Sequence, residues 1–425
     1  MEADAGQIAH LEEETVFDEW RRHRATARRS LPRARLFAAE LGLALRGPGQ
    51  LPLVGVVGSK GKGTIALYAS AALAAAGHRV GTVTSPGVLS NRDRIRIDGR
   101  ALAPAGYRDL LETVRAAGRR LPPIGPDGGY LSPTGTFTLA GAHALAEAGC
   151  TALVLEAGIG GASDELSLFA PDVVALGAVF GEHLDLLGPT VADVARDKLG
   201  VVTDRTRAVV TVAQGPEATA EVRRVSLAHA AETVSVDPSR ARGETASLLP
   251  PGFGAANALA GIRAGCELLA VTGRDRPSEG RLAEVLRTVR YPGRLSTHEF
   301  GAGDSRLRLV LDTAVSGVGL AVARGFAARA FGRSPDRVLV SLPAAKDFDG
   351  FLDELRGLDC PRYFVELRRG HLVYPDRSRW PWQWIAEDAL PEDLLRGDVL
   401  AVGTVSFVTA LMNRLDIDAE QLFRA

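Results

Sequence analysis

Lysine is scarce in this sequence of 425 residues. Of the 50 lysine and arginine residues, 46 are arginine and only four are lysine, namely Lys60, Lys62, Lys198 and Lys346. Because arginine supplies the generic positive charge, a retained lysine is a candidate for work that needs a compact ammonium group or an amine able to lose its proton. Biased codon usage accounts for the depletion, but it does not explain why two of the four lysines fall in one glycine-rich turn, residues 58–64.

The sequence also has few cysteines, a net charge close to zero and no long apolar run, and each of these features excludes a class of protein. The three cysteines are far apart, which argues against a disulfide framework or a zinc site. A net charge of −1, with acids and bases interspersed, provides no basic face for nucleic acid. No apolar run reaches the roughly 20 residues of a membrane helix, and the first residues do not resemble a signal peptide. We therefore expect a cytoplasmic globular protein that binds neither nucleic acid nor a membrane.

Short apolar segments and helical periodicity alternate along most of the chain, which predicts an α/β fold. Buried strands of the parallel-sheet type are predicted at 51–57, 79–84, 151–156, 171–180 and 209–212, and helices at 11–47, 65–77, 257–271 and 279–289. The polar segment 235–251 is predicted to be a surface excursion. Residues 291–293 (YPG) interrupt the pattern, and a second series of strands is predicted at 307–311, 338–342, 362–365 and 398–402. The sequence thus predicts two α/β domains, residues 1–293 and a smaller one at 294–425.

The glycine-rich turn 58–64 (GSKGKGT) stands between a predicted buried strand and a predicted helix. Such a turn presents backbone N–H groups and a helix N-terminus to an anion. Lys62 would add a point charge for phosphates, and the Thr64 hydroxyl a Mg²⁺ ligand. The spacing departs from the common GxxxxGK[ST] pattern, since Gly63 intervenes before Thr64. An ordinary strand-to-helix turn is the alternative, but the strand–loop–helix context favours phosphate binding.

Three further residues of the first domain are candidates for the site because of where they stand relative to predicted elements. Glu156 ends an apolar strand, at the edge of a parallel sheet where ligands bind, and its carboxylate could hold Mg²⁺. A solvated carboxylate at a strand end is the alternative. His183 follows the next strand, and a lone histidine is more often structural than a ligand. Lys198 lies on a predicted helix, where a lysine is ordinarily solvated, but its rarity in this chain weakens that interpretation.

Taken in order, these and other segments resemble motifs of the folylpolyglutamate synthase and dihydrofolate synthase branch of the Mur ligase superfamily. Residues 59–64 (SKGKGT) are similar to its TNGKGT/S phosphate loop, which carries the same additional glycine. The other similar segments are 84–86 with 91–99 (TSP, NRDRIRIDG) for TSPH…RERIRxxG, 156–161 (EAGIGG) for EVGLGG, 181–185 (GEHLD) for GxDHxD, 197–200 (DKLG) for EKAG, 257–258 (NA) for HQxxNA, 292–295 (PGRL) for PGRL, 345–347 (AKD) for DKD and 403–404 (GT) for GS. The resemblance covers essentially the whole chain.

The resemblance implies a fold, a reaction and a set of ligands. It implies an N-terminal P-loop-type ATPase domain with a parallel sheet, of the Mur ligase central type, and a smaller C-terminal Rossmann-like domain. In such ligases ATP phosphorylates a substrate carboxylate, and an amine then attacks the acyl phosphate to form an amide, with release of ADP and phosphate. The implied ligands are ATP, Mg²⁺ at two sites, and a small-molecule carboxylate and amine. A monomer or small homo-oligomer is expected.

The family's functional residues can be carried over to matching positions of this chain. One Mg²⁺ is expected on Thr64, Ser85 and Glu156, and a second near His183. Nucleotide contacts are expected from Gly58, Gly61, Lys62, Gly63, Thr64, Asn257, Arg294 and Asp312. The expected catalytic residues are Lys62, His183 and Lys198. Because the matching lysine is carbamylated in many members, Lys198 is expected as N6-carboxylysine, a modification that requires a deprotonated amine.

The sequence also departs from the family pattern. The DGAHNP motif reads DTAVSG at 312–317, so that its His and Asn are replaced by Val315 and Ser316. The His of TSPH is Gly87, the arginine after EVGLGG is Ala162, the His-Gln of HQxxNA is Phe253-Gly254, and the Asn of TNGKG is Lys60, which has no inherited role. Polar groups that shape the acceptor site in the family are therefore lost.

Three interpretations remain. The first is a working ligase with altered substrates, dedicated to some biosynthetic pathway. The second is a genuine folylpolyglutamate or dihydrofolate synthase. The third is a nucleotide-binding pseudoenzyme that serves as a regulatory partner. The joint retention of Thr64, Glu156, His183 and Lys198 favours an enzyme, because a scaffold has no use for a lysine that can be carbamylated.

Overall fold

The computed structural model describes residues 2–47, 49–125, 128–369 and 372–425. The chain forms two compact units, one comprising Met1–Val289 and Glu420–Ala425 and the other Arg290–Ala419. The last six residues, placed in the second domain from the sequence, pack on the first unit instead. The physical reason is a short ladder: the Ala101 N–H donates to the Glu420 carbonyl at 2.8 Å, and the Leu422 N–H donates to the Gly99 carbonyl at 3.0 Å. Arg424 and Thr288 are also joined by hydrogen bonds.

The first unit is built on one mixed sheet. Its strands are β1 (Leu53–Val57), β2 (Val80–Val83), β3 (Ile95–Ile97), β4 (Arg100–Ala101), β5 (Ala152–Glu156), β6 (Val173–Leu176), β7 (Ala208–Thr211) and β8 (Glu232–Ser235). Within the described residues the order is β4-β3-β2-β5-β1-β6-β7-β8. The strands from β2 to β8 across the sheet are parallel, and β3 and β4 are antiparallel. Because β1 is buried along its whole length, it is apolar without alternation (LVGVV).

Helices cover this sheet. They are α1 (Glu2–Glu12), α2 (Asp18–His23), α3 (Leu31–Glu40), α4 (Lys62–Ala75), α5 (Pro104–Arg120), α6 (Pro133–Glu147), α7 (Leu184–Leu187), α8 (Val191–Leu199), α9 (Pro216–Ala228), α10 (Gly243–Ser247), α11 (Phe253–Val271) and α12 (Glu279–Thr288). A π-helix at Glu13–Phe17 joins α1 to α2. The alanine-rich α4 packs against α11 at close range, since a Cβ at Gly261 would lie 2.4 Å from the Ile65 carbonyl oxygen.

The second unit has its own sheet and core. Its strands are β9 (Ser296–Phe300), β10 (Leu307–Asp312), β11 (Arg337–Ser341), β12 (Arg362–Glu366), β13 (Gln383–Ala386) and β14 (Gly397–Gly403), and its helices are α13 (Gly317–Phe331), α14 (Phe348–Arg356) and α15 (Val405–Arg414). Among described residues the order is β13-β12-β11-β14-β10-β9, parallel except for β9. The predicted α/β class, with a parallel-dominant sheet in each unit, is confirmed.

Two local predictions differ from the structure. The predicted helix at 11–47 is broken, because Ser30 caps a new helix that has Pro32 in its first turn. The excursion at 235–251 contains the short helix α10 and a 3₁₀ turn at Pro238–Arg240. No helix of the described ranges is long and apolar enough to cross a membrane.

Candidate functional site

The candidate residues of the first unit lie where neighbouring parallel strands end. The glycine turn follows β1, Ser85 follows β2, Glu156 is the last residue of β5, and His183 lies in the loop after β6. These four strands are adjacent in the order β2-β5-β1-β6, so that their carboxyl ends meet at one edge of the sheet. Such an edge is where ligands bind in open α/β sheets.

The glycine turn has a backbone that only glycine tolerates at two positions. Gly58 has φ of +142° and Gly61 has φ of +85°, where it caps the start of α4. A Cβ at Gly58 would lie 2.9 Å from the backbone of Gly177, and one at Gly61 would lie 2.3 Å from the Asn257 side-chain oxygen. The turn is therefore held closely between the loop after β6 and α11, and Asn257 is brought against it.

Two of the rare lysines converge on this turn. The Lys62 Nζ donates to the Gly58 carbonyl at 3.0 Å, and the Lys198 Nζ donates to the same carbonyl at 3.2 Å. Lys198 is only 1% exposed, and its Nζ forms an ion pair with Glu182 Oε1 at 2.9 Å. Burial lowers the pKa of the Lys198 amine, and the charge of Lys62 acts in the same direction, whereas Glu182 opposes both. Two ammonium groups beside a helix N-terminus form a place for an anion.

Glu182 is a further residue of the candidate site, and the sequence motifs do not point to it. In the GEHLD segment the resemblance points to His183, whereas the structure pairs the preceding Glu182 with the buried Lys198. The pairing of Glu182 with Lys198 spans sixteen residues and is fixed by folding, since α8 begins after a capping box between Thr190 and Asp193.

Ser85 and Glu156 lie together at the same edge. The Ser85 N–H donates to Glu156 Oε2 at 3.1 Å, and the Glu156 side chain is buried. The Ser85 hydroxyl accepts a hydrogen bond from the Arg94 Nη1 at 3.2 Å. The Ser85–Pro86 peptide bond is cis. The sequence-predicted pair is thus brought together, and Arg94 is an additional neighbour that the sequence did not single out.

The loop after Ser85 explains why glycine replaces the family's histidine at position 87. The Asp93 carboxylate accepts from three successive backbone N–H groups, those of Val88, Leu89 and Ser90, at 2.6 to 2.9 Å. This turn draws the Ser90 carbonyl so close that a Cβ at Gly87 would lie 2.0 Å from its oxygen. The tight turn leaves no room for a side chain.

The oxygen atoms available at this edge decide whether a Mg²⁺ ion could be held there. The described residues contain no group of three or more His, Cys, Asp or Glu side chains placed to hold a metal ion. Mg²⁺ in nucleotide sites, however, is bound through one or two carboxylates, phosphate oxygens and water. Glu156 with the Ser85 hydroxyl fits that mode, and Thr64 lies in the first turn of α4. The side chain of His183 is exposed, with φ of +48°, and its imidazole makes no hydrogen bond to a described residue.

Arg294 and Asp312 belong to the second unit. The Asp312 carboxylate, at the end of β10, accepts from the Leu295 N–H at 2.9 Å, which orients the segment that carries Arg294. The Arg294 guanidinium lies over the Tyr291 ring at 5.7 Å. These two predicted nucleotide residues are therefore close to each other in the chain's second unit.

The altered motif at 312–317 serves helix capping. The Ser316 hydroxyl accepts from the Gly319 N–H at 3.3 Å and caps α13. Asp347 accepts from the Gly317 N–H at 2.7 Å and from the Gly350 N–H at 3.2 Å, so that one carboxylate caps both α13 and α14. The side-chain oxygens of Ser316 and Asp347 beside the end of β10 therefore hold helix N-termini in place.

Comparisons with known proteins agree with the motifs. No protein-family model matches the chain. The chain is 33% identical over 200 residues to a probable bifunctional folylpolyglutamate synthase/dihydropteroate synthase of Halobacterium salinarum. The aligned region covers 46% of this chain and 23% of that protein. It is 28% identical over 200 residues to the dihydrofolate synthase/folylpolyglutamate synthase of Escherichia coli, covering 47% of this chain and 45% of that one. The matches thus span less than half the length of these curated relatives.

Solved structures share the whole fold. A complex described as FPGS-AMPPCP superposes with a TM-score of 0.76 at 21% identity, covering 95% of this chain and 99% of that one. Escherichia coli FolC in complex with DHPP and ADP gives 0.72 at 22% identity, covering 97% of each chain. Mycobacterium tuberculosis folylpolyglutamate synthase, complexed with ADP and AMPPCP, gives 0.73 at 20%, covering 98% and 99%. The resemblance seen in the motifs is therefore confirmed: the relatives and structural neighbours of this chain are folylpolyglutamate and dihydrofolate synthases, a branch of the Mur ligase superfamily.

Proposed function

We propose that this chain is an ATP-dependent ligase that joins a carboxylate to an amine and releases ADP and phosphate. The observation that carries the proposal is the convergence of Lys62 and the buried Lys198 on the Gly58 carbonyl, at the N-terminus of α4. Two cations at a strand-to-helix glycine turn favour the phosphates of a nucleotide. Neighbours of the same fold are described as complexes with ADP or AMPPCP, which supports the same ligand here.

In this proposal the first unit is the ATP-binding domain and the second is the ligase domain. The backbone of Gly58, Gly61 and Gly63 would bind phosphate oxygens, with Lys62 as their counter-charge, and Asn257, Arg294 and Asp312 would contact the nucleotide. Thr64, Ser85 and Glu156 would hold one Mg²⁺, and His183 a second. Bound Mg²⁺ would neutralise charge on the transferred phosphoryl group.

The proposed reaction has two steps. A carboxylate oxygen attacks the γ-phosphorus of ATP, and the bond from that phosphorus to the bridging oxygen breaks, so that ADP leaves with the electron pair. The amine nitrogen then attacks the carbonyl carbon of the acyl phosphate, the carbon–oxygen bond to phosphate breaks, and the amine gives up a proton. Lys62 would stabilise negative charge in the first step because it is fixed by the Gly58 carbonyl before substrates bind.

Lys198 is the proposed site of carbamylation. Its lowered pKa increases the fraction of unprotonated amine at neutral pH, and only the neutral amine reacts with CO₂. The product, N6-carboxylysine, would replace a cation by an anion at the glycine turn. Glu182, now paired with the ammonium group, would then repel it, so the ion pair and the carbamate are alternative states of the same position.

Altered substrates are favoured over folate and glutamate. The Gly87, Ala162, Val315 and Ser316 positions lack the polar side chains of the family motifs, and Gly87 and Ser316 are fixed in their present roles by the fold. A genuine folylpolyglutamate or dihydrofolate synthase is the second candidate, supported by neighbours described with folate or DHPP. A nucleotide-binding pseudoenzyme is the candidate from another class. We further infer a cytoplasmic monomer or small homo-oligomer.

One experiment separates these candidates. Purified protein with MgATP and bicarbonate is supplied with dihydropteroate or tetrahydrofolate plus glutamate, and then with a library of carboxylates and amines, while ADP release is measured. Product from the folate pair alone would establish the second candidate. Release that requires another carboxylate and amine together would establish altered substrates. AMPPCP binding without ADP release from any pair would contradict a ligase and leave the pseudoenzyme.

A further inference from the structure

Arg94 lies beside the candidate metal ligands but has no role in the proposal above. It ends the 3₁₀ turn Arg92–Arg94, directly before β3. Its Nη1 donates to the Ser85 hydroxyl at 3.2 Å, and its guanidinium stacks over the Phe137 ring at 4.7 Å. Since the Ser85 N–H in turn contacts Glu156, the guanidinium lies at the ligand-binding edge of the sheet.

A chain of hydrogen bonds fixes Arg94 from the side remote from Ser85. The Arg94 Nε donates to Asn91 Oδ1 at 2.7 Å, and the Asn91 amide donates to Glu12 Oε1 at 2.5 Å. The other Glu12 oxygen accepts from the Tyr107 hydroxyl at 2.5 Å, and Tyr107 is fully buried in the core. Side chains locked in this way hold a functional group in one orientation.

Arg94 differs from comparable arginines because its guanidinium forms no ion pair with a carboxylate of the described residues. Other arginines of the first unit with partly buried side chains form ion pairs: Arg29 with Asp164, Arg33 with Glu19, and Arg205 with Asp172. A partly buried guanidinium that has no paired anion is a place where an anionic ligand can bind favourably.

We propose that Arg94 binds the substrate carboxylate that is to be phosphorylated, and that Glu12 and Asn91 position it for this purpose. This inference rests on the proposed ligase function. A guanidinium presents paired N–H donors that match a carboxylate, and Nη2 makes no hydrogen bond to a described residue. Arg94 forms no covalent bond in this scheme. It neutralises the carboxylate and orients one oxygen towards the nucleotide phosphates.

The first test needs no knowledge of the substrate. Thermal unfolding is measured for the wild type, Arg94→Met and Arg205→Met, in sodium acetate or sodium benzoate and in sodium chloride of equal ionic strength. Arg205 is the matched control because it is ion-paired and lies away from the candidate site. Its partner Asp172 directly precedes β6, at the opposite edge of the sheet. We expect the carboxylates to raise the Tm of the wild type and of Arg205→Met by about 1–2 °C, and not that of Arg94→Met.

The variants also differ in their expected intrinsic stability. Arg205→Met leaves the Asp172 carboxylate without its partner, and its Tm in chloride should fall further than that of Arg94→Met, which removes a charge without an ion pair. A wild-type protein that acetate and benzoate do not stabilise beyond chloride would overturn the inference. So would equal stabilisation of wild type and Arg94→Met.

The second test uses whichever carboxylate supports ADP release. Arg94→Lys should raise the KM for that carboxylate by about 10- to 100-fold, the cost of losing charged hydrogen bonds, while AMPPCP affinity stays within about twofold. Glu12→Gln should raise the same KM less and leave the KM for ATP unchanged, a split that a purely structural role would not produce. An unchanged carboxylate KM in Arg94→Lys would contradict the inference. Failure of the ligase proposal itself is distinguishable, because the unfolding test requires no turnover.

Discussion

The carboxyl-terminal edges of the two sheets match the folylpolyglutamate synthase motifs to different degrees. The edge of the first sheet carries Lys62, Lys198 and Glu156. All three match the family motifs, and hydrogen bonds to the Gly58 carbonyl or the Ser85 N–H hold their side chains in place. In the second unit the corresponding edge carries Val315 and Ser316, and its carboxylate Asp347 is occupied with capping two helices. The chain therefore matches the family motifs more fully at the edge of the first sheet than at the edge of the second.

Lys198→Arg should have the largest effect, and it tests whether the matched residues of the first unit are needed for activity. Arginine keeps the charge but cannot be deprotonated, and its larger fork does not fit a buried ammonium position between Gly58 and Glu182. We expect ADP release to fall by about 10³-fold while the fold is retained, measured by a coupled assay and circular dichroism. Lys60→Arg is the matched control and should change the rate by no more than about threefold. Full activity in Lys198→Arg would refute the carbamate.

Glu156→Gln should produce the next largest effect. The amide can still accept from the Ser85 N–H but loses the charge that Mg²⁺ requires. We expect the Mg²⁺ concentration for half-maximal ADP release to rise by about 10- to 100-fold. The measurement is a Mg²⁺ titration at fixed ATP. A titration that coincides with the wild type would show that Glu156 is not a ligand.

Gly87→His tests whether the family motif can be restored. Its Cβ would lie 2.0 Å from the Ser90 oxygen, so the turn held by Asp93 must open. We expect a loss of about 2–3 kcal/mol in the free energy of unfolding, measured with denaturant. Gly118→Ala is the control, because a Cβ there meets nothing within 4 Å, and it should be neutral or stabilise by about 0.5–1 kcal/mol. A stable Gly87→His protein would show that the loop rearranges freely.

The lowered pKa of Lys198 predicts a pH dependence of stability. Between that lowered pKa and the ordinary value of about 10.4, the unfolded chain binds more protons than the native one, so the free energy of unfolding should rise with pH through this window. Lys198→Met should remove this contribution. The measurement is denaturant unfolding of both proteins from about pH 6 to pH 10. Parallel profiles for the two proteins would contradict the shift.

Asp347→Ala should have the smallest effect, confined to the second unit. It removes the acceptor shared by the Gly317 and Gly350 N–H groups, at a cost of about 1–2 kcal/mol. Ser316→Ala removes one cap and should cost about 1 kcal/mol or less. Hydrogen exchange of α13 and α14 would localise the change. Increased exchange in the first unit instead would mean that the carboxylate has another role.

The sequence predicted the elements whose signal is local. Continuous apolar runs identified β1, β5 and β6, and glycine with strand–helix context identified the turn at 58–64 between β1 and α4. Strands β3, β4, β8, β9 and β13 were missed, because strands of two to five residues at or next to the edge of a sheet have too few positions to show alternation. The partners Glu182 and Arg94 were missed for another reason: their contacts join residues that only folding brings together, and Asp93 shapes its turn through backbone N–H groups that carry no residue signature.

The return of residues 420–425 to the first unit makes the second unit an insertion. The chain leaves the first unit after Val289 and re-enters it at Glu420, and the hydrogen bonds between Thr288 and Arg424 hold the exit and the re-entry side by side. Two chain ends so close together can be joined by a short linker. A protein in which a few glycines replace residues 290–419 should therefore fold as a first unit on its own. A chain cut at residue 289 would instead leave β4 paired with β3 alone, because it lacks the segment that bonds to the other side of β4.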